Sequence, residues 1–228
     1  MNSIYSHNHT NLIDKTIIKK RKEMIDKINY FFEDKDIYDA IDIGTTDDEI
    51  HESSNYLIKN LKNIKIFKSI SNQKIDSSFF LKSLNKSITS KFLESDINQY
   101  KSDLVVSNAT IEHVGNFNNQ KIMISNIVDL TKKYFIITTP NRYHPIDFHT
   151  KIPLIHWLPK SFHRKILSLI GLKYFSKENN LNLLSVKDLK KLLNDFQSFE
   201  YKIYHIRFLG FISNYIILGK VNTCDDNF

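Results

Sequence analysis

Residues 103–114, near the middle of the chain, restrict its architecture more than any other stretch. Leu104, Val105 and Val106 form a short continuous apolar run, the pattern of a strand buried on both faces of a parallel sheet. Ser107, Asn108 and Ala109 end the run with small or polar side chains, and Glu112 and His113 follow within one turn. Ligands of open α/β sheets collect outside the carboxyl ends of the strands. The stretch therefore predicts a buried strand that delivers a carboxylate and an imidazole to a binding edge.

The rest of the chain reads as the alternating elements such a strand needs. Residues 1–12 read as a loose arm. Residues 13–32 carry Ile17, Ile18, Met24, Ile25, Ile28, Phe31 and Phe32 at broadly helical spacing, with Lys19, Lys20, Arg21 and Lys22 on the wet face. A first strand is expected over 38–43, ending in Asp42, Ile43 and Gly44, with a helical pattern from near Glu49. A second strand over 64–70 runs into the polar turn Ser71, Asn72 and Gln73. A helix is expected over 75–85, a third strand over 88–93, and a helix over 116–132 after the central strand. The fifth strand, 134–138, is cut off by Pro140, which cannot continue a sheet ladder. Residues 181–196 read as a helix capped by Ser185 or Asp188, and 201–208 and 215–220 as neighbouring antiparallel strands.

This order implies an α/β fold: a seven-stranded, mostly parallel sheet with an antiparallel last strand and helices on both faces. Right-handed crossovers put the turns after Ile43, Ile70, Leu93, Ser107 and Thr139 along one edge. The domain expectation is an arm and helix over 1–36, one domain over 37–220, and a flexible tail over 221–228. Residues 141–180 interrupt the alternation as a lid. They contain Pro145, Pro153 and Pro159, the histidines His144, His149, His156 and His163, and Trp157, the only tryptophan. No acidic residue occurs from 148 to 177, while Lys151, Lys160, Arg164, Lys165, Lys173 and Lys177 are basic. Phe162, Ile166, Leu169 and Ile170 share a helix face there, so a basic amphipathic helix is expected.

Composition narrows the function classes. The single cysteine, Cys224, excludes an internal disulfide framework and a cysteine-rich zinc site, and fits a reducing compartment. No apolar run approaches a membrane span and the polar start lacks a signal-peptide core, so a cytoplasmic protein is expected, peripheral to the membrane at most. The formal charge of +7 reflects general use of lysine, and no nucleic-acid-binding module or zinc-finger spacing accompanies it. The turn after the first strand has only one glycine and is rich in acid (Asp42, Asp47, Asp48), so it does not match a pyrophosphate-binding fingerprint. It suits a ligand that lacks phosphate or carries positive charge. The plainer reading is an ordinary strand–helix turn with Asp47 or Asp48 as N-cap. His144, His149, His156 and His163 lack the compact helical pair with a carboxylate that marks zinc enzymes, and no metal set is expected.

The residues also resemble class I S-adenosylmethionine-dependent methyltransferases, in particular a bacterial subgroup described as methyltransferase type 11. Ile41, Asp42, Ile43 and Gly44 look like the first motif of that family. Asp96 and Ile97 are similar to the acidic position after its third strand, and 103–114 resembles its fourth-strand motif most closely. The likeness runs on through Thr138–Tyr143, Phe148–Thr150, His156–Pro159, 178–185 and Ser213–Asn214, and covers roughly 38–220.

The resemblance implies a Rossmann-like fold and S-adenosylmethionine as cofactor. Asp42 and Gly44 would shape the turn beside its methionine part, and Ser71 or Asn72 would lie at the ribose. Asp96 would accept from the adenine amino group with Ile97 on the ring, Asn108 would lie next to the sulfonium, and Glu112 and His113 would flank the reacting centre. The glycine loop is shorter than in the family and no acid follows Ile70. Asp47, Asp48 or Asp76 is then left to supply a ribose carboxylate.

An acceptor oxygen or nitrogen needs a proton removed, and His113, His144 and His149 are the candidate bases. A hydrogen-bonded structural role is the alternative for each. The implied activity is methyl transfer to a small-molecule, glycan or lipid-linked acceptor, with peripheral membrane contact through 148–177. A pseudo-enzyme of the same fold and a basic membrane-surface binding protein are the rival readings.

Overall fold

The computed structural model describes residues 12–48 and 54–222, with side chains from residue 18 onward. The expected arm, the start of the helix near Glu49 and most of the tail lie outside the described residues.

Seven strands form one sheet: β1 (Asp39–Ile43), β2 (Ile66–Ser71), β3 (Lys82–Asn85), β4 (Ser102–Asn108), β5 (Thr131–Pro140), β6 (Phe199–Phe208) and β7 (Phe211–Val221). Their order is β3-β2-β1-β4-β5-β7-β6. The first five are parallel, and β7 pairs antiparallel with both β5 and β6. The helices are α1 (Leu12–Phe32), α2 (Tyr56–Lys59), α3 (Glu94–Tyr100), α4 (Phe117–Leu130), α5 (Lys160–Leu169) and α6 (Val186–Leu193).

β4 is the sheet's central axis because its side chains serve two cores. Leu104 and Val106 point into a cluster with Met24, Ile25 and Ile28 of α1 and Leu57 and Ile58 of α2. Val105 points the other way, into a cluster with Met123, Ile124 and Ile127 of α4 and Leu189 and Leu192 of α6. The alternation is the two-residue period of a strand packed on both faces. Each fully buried aliphatic side chain here contributes about 1.5–3 kcal/mol of transfer free energy.

At the amino ends of the strands two buried carboxylates tie neighbours together. Asp39 accepts from the amide of Asp103 at 2.8 Å and from Lys68 Nζ at 2.6 Å. Asp103 accepts from the amide of Tyr38 at 3.0 Å. Both lie at the end opposite the ligand edge, so their role is structural.

Two expected elements are corrected. Residues 75–85 do not form a helix, and the third strand is β3 rather than 88–93. Phe79 stacks on Phe67 at 4.7 Å and meets Phe80 edge-on, so the apolar residues that imitate helical spacing line an irregular segment over β2. β3 is a half-exposed edge strand of lysine, serine, leucine and asparagine and carries no apolar signature. Residues 88–93 form a loop, held by Asn126 of α4, whose amide donates to the carbonyls of Ile88 and Ser90 at 2.8 Å each.

Smaller boundary shifts follow the same logic. Pro140 is the last residue of β5 and lies opposite Asn214, at a strand end where its missing N–H is tolerated. The helix expected over 181–196 is confined to α6, with Ser185 as N-cap in a reciprocal box with Asp188. β6 and β7 are joined by Leu209 and Gly210 alone, both at positive φ, the two-residue turn that matches strand twist.

Candidate active site at the carboxyl edge of the sheet

All five parallel strands deliver their carboxyl ends to one cavity of about 720 Å³, within the size range of small-molecule sites. Its wall includes Asp42 and Gly44 after β1, Ser71 and Asn72 after β2, Lys86 to Thr89 after β3, and Asn108 after β4. On the other side stand Glu112, His113, Phe148, His149 and Phe175, and α1 contributes Ile18, Lys20, Arg21 and Met24.

The β1 turn is shaped by a close approach. Gly44 has φ +90°, and a Cβ there would lie 2.4 Å from Thr110 Oγ1. Thr110 in turn donates to the carbonyl of Ile43 at 3.3 Å. The glycine thus allows the segment after β4 to press onto the end of β1. Asp42 is fully buried, accepts from Thr45 Oγ1 at 2.7 Å, and has its pKa pushed up to about 6, first by desolvation, against which the Thr45 hydrogen bond works. Ser71 donates to the carbonyl of Thr45 at 2.7 Å, linking the turns after β1 and β2.

The end of β4 is bent into the cavity. Asn108 Oδ1 accepts from Thr138 Oγ1 at 2.6 Å, which orients the amide. Ala109 has φ +53°, and its N–H donates to the carbonyl of Thr138 at 3.0 Å. A non-glycine residue in this region costs about 1–3 kcal/mol, and such strain collects at functional sites. The bend leads into a single 3-10 turn, Ile111–His113. Ile111 anchors it in the core, and residues returning from the lid clamp it. Asn182 donates from its backbone to the carbonyl of Glu112 at 2.7 Å and from its side chain to that of Gly115 at 2.7 Å.

Glu112 is fully buried. One carboxylate oxygen accepts from Thr139 Oγ1 at 2.9 Å, while the other, Oε1, has no hydrogen-bond partner among the described residues. His113 and His149 stand beside it, with His113 Nε2 4.0 Å and His149 Nε2 3.8 Å from Oε1 and 3.1 Å from each other. The far side of each ring is held. His113 Nδ1 lies 2.6 Å from the carbonyl of Asn180, and His149 Nδ1 lies 3.3 Å from Asp147 Oδ1. Asp147 is itself fixed by Thr150 Oγ1 at 2.7 Å and by the amide of His149 at 3.0 Å.

Burial lowers the pKa of His113, and the nearby charge of Glu112 offsets only part of this. Burial acts on His149 the same way, but the hydrogen bond and charge of Asp147, together with the charge of Glu112, hold its pKa above the ordinary value. Burial would raise the pKa of Asp147, yet the His149 contacts and the Thr150 hydroxyl outweigh that and hold it at about 2.

The other site residues named from sequence fall differently. His144 is buried away from the cavity wall, with Nδ1 2.9 Å from the carbonyl of Ile146 and its ring stacked on Phe148 and Phe208. His156 and Trp157 both donate to the carbonyl of His144, at 2.6 and 3.2 Å, so these residues brace the lid's base. Asp96 pairs with Lys86 Nζ at 2.5 Å and receives the amide of Leu93 at 3.3 Å, inside the first turn of α3. Neither Asp96 nor Ile97 lines the cavity. With β3 ending at Asn85, the loop that reaches the cavity is Lys86, Ser87, Ile88 and Thr89. Asp47 is taken up by the amide of Asp76 at 2.9 Å and Asp48 by Ser54 at 2.8 Å, and none of these acids lines the wall.

Sequence reasoning missed Asp147, although its place two residues before His149 and three before Thr150 is the spacing of an Asx-type turn. It also missed Lys86 to Thr89, which only the correct β3 reveals.

No protein-family model matches the chain, and no curated protein matches it by sequence. Solved structures do. The magnesium protoporphyrin IX methyltransferase ChlM from Synechocystis PCC 6803, with bound SAH, aligns with TM-score 0.59 at 13% identity, over 96% of this chain and 90% of that one. The N-methyltransferase NodS from Bradyrhizobium japonicum WM9 aligns with TM-score 0.54 at 8% identity, over 93% and 100%. The 1,6-didemethyltoxoflavin-N1-methyltransferase from Burkholderia thailandensis aligns with TM-score 0.53 at 7% identity, over 90% and 79%. A small RNA methyltransferase is among the others. Strand order and antiparallel β7 agree: the chain has the fold of the class I S-adenosylmethionine-dependent methyltransferases.

Proposed function

We propose that the chain transfers a methyl group from S-adenosylmethionine to an oxygen or nitrogen of a small-molecule, glycan or lipid-linked acceptor. The observation that carries this reading is the continuity of one cavity from the β1–β3 turns to the Glu112, His113 and His149 cluster.

The residues at the β1 side fit the cofactor. Asp42 places a buried carboxylate where a cationic ligand would meet it. Ser71 and Asn72 offer neutral polar groups where the ribose is expected, and Ser87 and Thr89 offer them after β3 for the adenine. Asn108, oriented by Thr138, stands between the two halves. The bound cofactor supplies a methyl group already activated on a sulfonium, so alignment and exclusion of water provide much of the remaining rate. The lid residues Phe148 and Phe175 form the apolar part of the acceptor side. His113 and His149 are the groups placed to hold or remove an acceptor proton. His144, committed to the lid's base, serves as a structural residue.

The lid also supports a lipid-linked acceptor presented at an anionic bilayer. Trp157, Leu158, Phe162, Leu169 and Ile170 are exposed apolar residues around α5, and Lys165, Lys173 and Lys177 are exposed nearby. An apolar face flanked by lysines is the pattern of interfacial helices. Arg164 is not the residue to vary in testing this, since it pairs with Glu178 at 2.7 Å.

Methyl transfer is tested by screening acceptors with labelled cofactor. Transfer that His149→Ala abolishes is expected. Cofactor binding without transfer to any acceptor would favour a pseudo-enzyme.

A further inference from the structure

We propose that Glu112, His113 and His149 form a binding site for one divalent transition-metal ion at the acceptor end of the cavity. These are the residues among those described whose ligand atoms converge, all within 4.8 Å of one another. The three separations, 3.1 Å between the Nε2 atoms and 4.0 and 3.8 Å from them to Glu112 Oε1, form an acute triangle. A point inside it lies about 2.1 Å from all three atoms, the bond length of Zn²⁺ to imidazole nitrogen and carboxylate oxygen.

The surroundings are those of a ligand set. Imidazoles that bind metal through one nitrogen usually donate the other N–H to a carbonyl or carboxylate, which fixes tautomer and ring orientation. His113 has the carbonyl of Asn180 in that place and His149 has Asp147. Both rings therefore turn Nε2 toward the same point. Asp147, in turn, is oriented by Thr150.

A proton bridging the two Nε2 atoms is the competing account of their 3.1 Å approach. It leaves Glu112 Oε1 unsatisfied, because both imidazoles are too far from it for a hydrogen bond. An unpaired carboxylate oxygen in a fully buried position is costly. One cation at the common point satisfies all three groups at once.

Two imidazoles and one carboxylate suit zinc, or iron(II), cobalt(II) and manganese(II), and leave coordination positions open. All three side chains line the cavity, so an acceptor hydroxyl, carboxylate or ring nitrogen can take an open position. This selects oxygen-rich or chelating acceptors and favours the deprotonated form of the bound atom, which takes the place of proton removal by His113 or His149 while the ion occupies their Nε2 lone pairs. The inference rests on the reading of this end of the cavity as the acceptor side, but metal binding is measurable without any acceptor.

The test is titration of chelator-treated full-length protein with Zn²⁺, and separately with Co²⁺, followed by calorimetry and visible absorption. One equivalent of Zn²⁺ is expected to bind, with at least tenfold weaker affinity in Glu112→Gln and His149→Ala. Asp147→Asn is expected to weaken it roughly 10–100-fold through His149 alone. Co²⁺ should give d–d absorption bands distinct from those of the aqueous ion, a readout on the unaltered protein that does not depend on any variant folding. Zinc binding equal in all variants, or Co²⁺ bands identical to the free ion, would overturn the proposal. S-adenosylhomocysteine binding measured on the same samples reports the methyltransferase reading separately, so either can fail while the other stands.

Discussion

At the β1 end of the cavity the wall combines a glycine turn, Ser71, Asn72, Ser87 and Thr89 with Asp42 as the buried carboxylate and Lys20, Arg21 and Lys86 as cations. At the lid end the wall is a network of side chains from three distant segments, with Glu112 and His113 after β4, Asp147 and His149 in the lid, and Asn180 on its return. The first end depends on strand register, which the sheet enforces, and on the one close approach that Gly44 allows. The second depends on side chains that only tertiary structure brings together. Departures from a family pattern are therefore tolerable at the first end, whereas single substitutions at the second should be decisive.

The largest effect is expected at the lid end. His149→Ala should reduce methyl transfer by at least 100-fold, with affinity for S-adenosylhomocysteine within about twofold of the unaltered protein, a split readable by steady-state kinetics beside calorimetry. His144→Ala, five residues earlier, should do the reverse. It removes a buried, stacked ring and is expected to cost about 1–3 kcal/mol in chemical denaturation, while the folded fraction keeps its turnover. Equal losses of turnover in both variants would erase the distinction between the two lid histidines.

Next comes Gly44→Ala. Its Cβ would meet Thr110 at 2.4 Å in a backbone region unsuited to side chains, and a destabilisation of about 2–4 kcal/mol is expected. Thr110→Ala in the same chain should recover the steric part but not the backbone strain. Full recovery would show that strain contributes nothing.

Asp42 gives the comparison a pH dependence. Its raised pKa of about 6 means that it is neutral well below pH 6 and ionised above. A cationic ligand prefers the ionised form, so affinity for S-adenosylmethionine should rise by about three- to tenfold as pH increases through 6, then level off. The same group works against folding as pH rises. An unfolded carboxylate ionises near pH 4 while the buried one resists until about 6, so stability falls between those values and is flat above. Asp42→Asn should flatten both profiles, as followed by calorimetry and thermal melting between pH 4 and 8.

The smallest effect on the fold is expected from the exposed lid face. Phe162→Asp with Leu169→Glu should lower sedimentation with anionic vesicles and change unfolding free energy by less than about 0.5 kcal/mol per site. Unchanged vesicle binding would remove the bilayer from the account.

Much of the fold was readable because β1, β2, β4 and β5 carry apolar strand patterns that burial enforces. β3 was not, because an edge strand needs no apolar pattern and the phenylalanines at 79 and 80 imitate helical spacing while packing over β2. With β3 ending at Asn85, the loop that lines the cavity is Lys86 to Thr89, while Asp96 and Ile97 stand outside its wall. Residues 103–114 pointed to the cavity because one segment carries both the strand and Asn108, Glu112 and His113, which line it. The partners Asp147 and Asn180 were invisible for the opposite reason. They reach His149 and His113 through tertiary folding, and the polar pairing of a lid leaves little periodicity to read.

The most direct test is calorimetry of S-adenosylhomocysteine with the unaltered chain and with His149→Ala. One binding site per chain, of similar affinity in both, is predicted, since the end proposed for the cofactor is built by strand turns that His149 does not touch. No heat and no thermal shift at millimolar ligand in the unaltered chain would contradict the account at its base.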